Sequence, residues 1–180
     1  MLYLNFNAPI TDKTVQSLMA FLAEQSCKGE KEIQILFSSP GGQVRSGLTL
    51  YNFIMSLPIK VTMHNIGLVD SIGNVVFLAG IERYAVQHSS FLFHGIGFDI
   101  TQATRFEQKQ VKERLLAIER EQGLISEIIA ENSKLTLDEI KEMFLEAKTL
   151  TPQQAKEVGI IQEVKEIKIP AGANLQSLVL

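Results

Sequence analysis

The sequence predicts an α/β fold in which parallel strands are covered by helices, and three observations carry that expectation. Three strand-then-helix units follow one another over roughly the first 80 residues. The turns between them are rich in Gly, Pro and Ser, and the second half opens with a long amphipathic helical pattern.

Taken in order, residues 2 to 6 (LYLNF) form a short strand, and Thr11 caps a helix whose apolar positions are Val15, Leu18, Met19 and Leu22. A second strand over 32 to 37 (EIQILF) leads through SSPGG into a helix carrying Leu48, Tyr51 and Ile54, which stops before Pro58. A third strand over 60 to 64 (KVTMH) is followed by a Gly-containing loop to Ser71 and a buried helix, NVVFLAG, ending near Gly80. Two short strands, 83 to 86 and 90 to 94, precede GIGFDI. The long helix then runs from about Gln102 to Asn132, with Phe106, Val111, Leu115, Ile118, Ile125 and Ile129 as its apolar stripe. A helix from Thr136, a small one after Thr151-Pro152 and a strand over 160 to 165 complete the pattern.

Composition narrows the function classes. At 180 residues, 46% apolar and 21% charged, the chain is expected to be one globular domain spanning 1–180, long enough to bury a core without disulfides or metals. A net charge of -3, with its basic residues scattered, excludes an electrostatic case for nucleic acid or a membrane surface. The start MLYLNFNAPI has neither the basic segment nor the apolar run of a secretory signal, so a cytoplasmic protein is expected. Cys27 alone cannot pair within the chain and reads as a helix residue. Three histidines and one cysteine at these spacings suggest no metal site, and no cofactor is expected.

Three segments carry chemistry. Ser39-Pro40-Gly41-Gly42 joins a strand to a helix, where glycines can bring unpaired backbone N–H groups to a ligand; by itself such a turn reads equally as punctuation. Ser71, in GLVDSIGN, stands at the start of an apolar helix, where a serine is either a nucleophile or an N-cap. His94 ends FLFH ahead of Gly95 and Gly97, at a strand terminus suited to a base and equally to a structural histidine.

Together, SSPGGQVRSG, DSIGNVVFLAG, FLFHG and LTPQQAKEVGIIQEV, in this order, resemble the Clp protease proteolytic subunit family of self-compartmentalised serine peptidases. The resemblance runs from residue 2 to about 165. It implies a spiral of repeated β-β-α units, shared with the crotonases, bearing an extended helical handle. It further implies Ser71 as nucleophile, His94 as general base, and the backbone N–H groups of Gly42 and Ile72 as oxyanion hole. Peptides or unfolded proteins would be the substrates, cut inside a homo-oligomeric ring, a heptamer or double ring as in the family.

Two departures qualify what carries over. Ungapped alignment through Ile140, Leu150 and Gly159 puts Ala147 where the family has its triad aspartate. Glu146 and Asp99 are candidates for a third member, with Asp70 behind them; each is otherwise a solvated carboxylate. A Ser-Lys dyad using Lys109 or Lys112 is the alternative to His94 as base. The family parts that serve gating and docking of an AAA+ unfoldase precede the first strand and have no counterpart here, which leaves that partner open. Two other functions fit the same motifs: a catalytically weak or silent scaffold subunit, supported by Ala147, and a crotonase-like acyl-CoA enzyme using the same oxyanion hole.

Overall fold

The computed structural model of the chain describes residues 1–97 and 105–178. Among the described residues, eight strands form one sheet: β1 (Leu2–Asn7), β2 (Glu32–Ser39), β3 (Lys60–Asp70), β4 (Glu82–Ala85), β5 (Ser90–Phe93), β6 (Lys148–Leu150), β7 (Glu163–Val164) and β8 (Asn174–Ser177). The helices are α1 (Asp12–Cys27), α2 (Val44–Ser56), α3 (Gly73–Leu78), α4 (Gln108–Glu131), α5 (Leu137–Glu146) and α6 (Pro152–Glu157). The main path is β6-β5-β3-β2-β1-β8, and every pairing is parallel except β5 with β6. The predicted mixed α/β architecture is therefore present.

Strand β3 organises the site. Its first half, Thr62 to Asn65, pairs with β4, and its last three residues, Leu68 to Asp70, pair with β5. The change of partner occurs at a bulge, where the register with β2 jumps from Phe37↔Asn65 to Ser39↔Val69. Buried Asn65 stabilises this irregularity: its Oδ1 accepts the Gly67 N–H at 2.9 Å and its Nδ2 donates to Ser90 O at 2.9 Å. The segment expected to be a Gly-containing loop before Ser71 is thus strand, bent but continuous, and it delivers Ser71 to the end of the sheet.

The core lies between the sheet and its helices. A run of aromatic contacts, Phe6 on Phe37 at 5.3 Å, Phe37 on Phe77 at 6.2 Å and Phe77 on Phe91 at 5.3 Å, fastens α3 to β1, β2 and β5. Thr11 and Thr136 cap α1 and α5 through their side chains. Arg83, buried, donates to the carbonyls of Gly80, Asn132, Gly159 and Ile160, tying the ends of α3, α4 and α6 together.

The helix expected from Gln102 begins at Gln108: residues 102–104 lie outside the described residues and 105–107 are not helical. Of its expected stripe, only Ile125 and Ile129 are buried, whereas Val111 and Leu115 are exposed. The stripe therefore faces the core only over the last two turns; the N-terminal half stands away from the body. No helix among the described residues is long and apolar enough to cross a membrane, and none of their acidic, His and Cys side chains cluster in a way that could hold a metal ion.

Fully buried His64 gives the fold a pH dependence. Its Nε2 lies 3.0 Å from the Lys165 carbonyl, an acceptor only, so Nε2 carries the proton and Nδ1 accepts from the Gln34 amide at 3.2 Å. Burial pushes the imidazole below its ordinary value of 6.5, only partly offset by the Lys165 carbonyl. A histidine depressed on folding contributes stability that is complete above the unfolded value and lost as pH falls below about 6.5. Thermal melts from pH 8 to pH 5 should show that loss, and His64→Gln should remove this component; identical pH slopes in the two proteins would contradict it.

Candidate functional site

Ser71 follows β3 and precedes α3 in a left-handed backbone conformation, φ 55, one that costs a non-glycine residue free energy and has to be held by its surroundings. The N-cap of α3 is Ile72, not Ser71, so the capping reading of Ser71 is not the one adopted. The turn is held by Ser71 N–H donating to Leu92 O at 2.9 Å and by Asn74 N–H donating to Ser71 O at 3.0 Å.

The Gly41-Gly42 turn is packed against this one. A Cβ on Gly41 would lie 2.7 Å from Ser71 Cβ and 2.7 Å from Asp70 O, and one on Gly42 would lie 2.2 Å from Ile10 O. Both glycines have positive φ, 83 and 146, so close approach and conformation both demand glycine here. Ile10 N–H donates to Gly41 O and Gln43 N–H to Ile10 O, each at 2.8 Å. This parallel bridge uses the groups flanking Gly42, so the Gly42 N–H points away from Ile10. Among the described residues, neither the Gly42 nor the Ile72 N–H has a hydrogen-bond acceptor. Two unpaired amides beside the serine turn suit an incoming oxyanion.

His94 directly follows β5, the strand next to β3 at this end of the sheet, two residues beyond Leu92, and is exposed to solvent. Its Nδ1 is 2.8 Å from Gly95 O. A carbonyl only accepts, so Nδ1 carries the proton and Nε2 keeps a lone pair, the tautomer a general base requires. No hydrogen bond joins the Ser71 hydroxyl to the ring among the described residues; apo sites commonly close that contact only around substrate.

The register explains what surrounds His94. Asp70 pairs with Leu92 across β3 and β5, and Phe93 pairs with Lys148 as the last pair of the antiparallel β5–β6 ladder, so His94, just after Phe93, and Ala147, just before Lys148, flank the same end of that ladder. Gly95 N–H donates to Phe144 O at 3.1 Å, closing the same corner. Ala147 has φ 51 at the end of α5 and offers no carboxylate. Alternation places Asp70, Leu92 and His94 on one face, and Asp70 is half-buried there. Burial raises the Asp70 carboxyl above its ordinary value, against the opposing pull of the Leu92 amide and His94.

Of the other candidates, Glu146 is exposed and its Oε2 faces Lys148 Nζ at 3.9 Å, not His94. Asp99 lies outside the described residues. Lys109 and Lys112 sit on the exposed part of α4, where Lys109 pairs with Glu113 at 3.9 Å, and neither hydrogen-bonds to Ser71. Beside Gly42 opens a cavity of about 440 Å³ whose walls include Gln43, Ser46, Ile96 and Glu121. Sequence reasoning missed the Gly95 carbonyl and Asn74. A backbone carbonyl leaves no mark in a side-chain pattern, whereas a lone Asn opening an apolar helix was a usable signal.

Comparison with known proteins identifies the family. The family model described as Clp protease matches residues 2–168. Similar proteins include the ATP-dependent Clp protease proteolytic subunit 2 of Thermobifida fusca (strain YX), 28% identical over 161 residues, which cover 86% of this chain and 74% of that protein. Subunit 1 of Corynebacterium jeikeium (strain K411) is 29% identical over 143 residues, covering 74% and 70%. Subunit 2 of Corynebacterium diphtheriae (strain ATCC 700971 / NCTC 13129 / Biotype gravis) is 28% identical over 167 residues, covering 87% and 76%. With a strand-end serine, a neighbouring strand-end histidine and a match running through nearly all of the α/β fold, the chain belongs to the Clp protease family.

Proposed function

We propose that the chain is a serine endopeptidase working through a Ser71 acyl-enzyme. His94 Nε2 takes the hydroxyl proton as Ser71 Oγ attacks the peptide carbonyl, and the developing oxyanion is held by the Gly42 and Ile72 amides. The imidazolium then gives its proton to the leaving amine. Water, deprotonated by the same nitrogen, hydrolyses the ester and returns the serine. The Gly95 carbonyl holds Nδ1–H throughout, and Asp70, on the same face, supplies negative charge to the imidazolium when ionised.

The observation that carries this reading is the left-handed Ser71, packed against Gly41 between two unpaired amides. Hydrolysis of a fluorogenic peptide tests it: Ser71→Ala should reduce turnover to the uncatalysed background while leaving the melting temperature within a few degrees. Full activity in that variant would end the proposal.

Ala147 beside His94 favours a second reading, a weak or silent scaffold subunit within a mixed assembly. Assembly itself is supported by Val111, Leu115 and Leu116, exposed along the free half of α4. In either reading the chain forms the family's ring in the cytoplasm, and the ATP dependence in the names of its relatives makes an ATPase the candidate partner to test. Light scattering at micromolar concentration should give a mass several times that of one chain; a monomer would contradict the ring.

A further inference from the structure

Asn74 is used by none of the steps above, yet it sits at the centre of the site's framework. It is 1% exposed, in the first turn of α3, followed by Val75, Val76, Phe77 and Leu78, all buried and apolar. Its Nδ2 donates to two carbonyls at once, Ser71 O at 3.1 Å and Leu92 O at 2.8 Å. Leu92 O also accepts the Ser71 N–H at 2.9 Å.

Both neighbours of the amide are acceptors, so its orientation is fixed: the nitrogen faces them and the oxygen turns away. That Oδ1 is buried and has no hydrogen-bond partner among the described residues. An orphaned buried acceptor destabilises a fold, so packing alone would select an apolar side chain at this position. What the amide supplies instead is a connection. It ties the carbonyl of strained Ser71 to the strand that, two residues further on, presents His94.

We infer that Asn74 is a positioning residue: it clamps the Ser71 turn to β5 and so fixes serine against histidine, at a cost in stability. Its kinetic consequence rests on the acyl-enzyme chemistry proposed above, whereas the clamp itself does not. Without it, Ser71 is free to relax from φ 55 and the two side chains lose their common anchor.

Asn74→Leu keeps the shape and deletes both the donor and the orphaned oxygen. We expect its melting temperature to equal or exceed that of the wild type, kcat on a fluorogenic peptide to fall about 10- to 100-fold, and KM to stay within about twofold. Hydrogen exchange of the Ser71 amide, bonded to Leu92 O, and of the residue-74 amide, bonded to Ser71 O, should accelerate at least tenfold, a change confined to that turn. Asn74→Ala should repeat the kinetic and exchange effects. Wild-type kcat, or unchanged exchange, in either folded variant would overturn the inference. So would global unfolding of both, which would make Asn74 a core residue. A wild type with no peptidase activity would defeat the acyl-enzyme reading instead, and the exchange measurement would still decide the clamp.

Discussion

Replacing His94 with alanine should lower the rate of Ser71 acylation by about 10³-fold, within the range expected for a general base, while Lys109→Ala and Lys112→Ala should change it less than twofold. The expectation follows from placement. His94 stands at the end of the strand bonded to Ser71 N–H, with Nδ1 already committed to the Gly95 carbonyl and Nε2 left as acceptor. The two lysines lie on the exposed half of α4, Lys109 paired with Glu113. Stopped-flow acylation by an activated peptide ester measures the step directly, and a strong defect in Lys112→Ala with none in His94→Ala would transfer the base to the lysine.

The second large effect is a gain. Ala147→Asp should raise kcat/KM by about 10- to 100-fold, with the roughly 10⁴ that serine proteases lose on altering their triad acid as the ceiling. Residue 147 immediately precedes Lys148, the partner of Phe93 in the last pair of the β5–β6 ladder, and His94 immediately follows Phe93, so the two flank the same ladder end. Its left-handed backbone, φ 51, is one that aspartate tolerates better than most residues. The new carboxylate has to displace the Gly95 carbonyl from Nδ1, which is why the full ceiling is not expected. In return it compensates the imidazolium charge that a neutral carbonyl stabilises only weakly. Peptide hydrolysis across pH 6 to 9 would read the gain, and an unchanged rate in a folded variant would show that the acid is not what limits this site.

Much of this was legible in the sequence because it depends on periodicity and local chemistry. The alternating strands and helices from Leu2 to Leu78, the Thr11 cap, the helix start near Thr136, Ser71 at the start of an apolar helix and His94 at a strand end all follow from residue type and spacing. What escaped is set by partners distant in sequence. Strand β6 is three residues, KTL, defined by its pairing with β5, and β8, NLQS, has no apolar alternation and exists as an edge strand on β1. Gly67 read as a loop residue because the bulge that accommodates it is held by Asn65 on the same strand together with Ser38 from β2. The α4 stripe was visible, but an amphipathic pattern does not say what covers it, and here the body of the chain covers only its end. At the site, the motifs named the residues proposed to act and the absent acid at Ala147, whereas the tautomer of His94 and the Asn74 clamp required the folded positions of the Gly95, Ser71 and Leu92 carbonyls.

The most direct measurement is peptide mapping by mass spectrometry after reaction of the wild-type protein with a fluorophosphonate, which modifies only a serine whose hydroxyl is activated beside an oxyanion hole. A single phosphonyl adduct on Ser71, absent from protein unfolded before exposure to the reagent, is the result expected. An unmodified Ser71 in the folded, assembled protein, or an adduct confined to another residue, would contradict the assignment of this serine as the nucleophile.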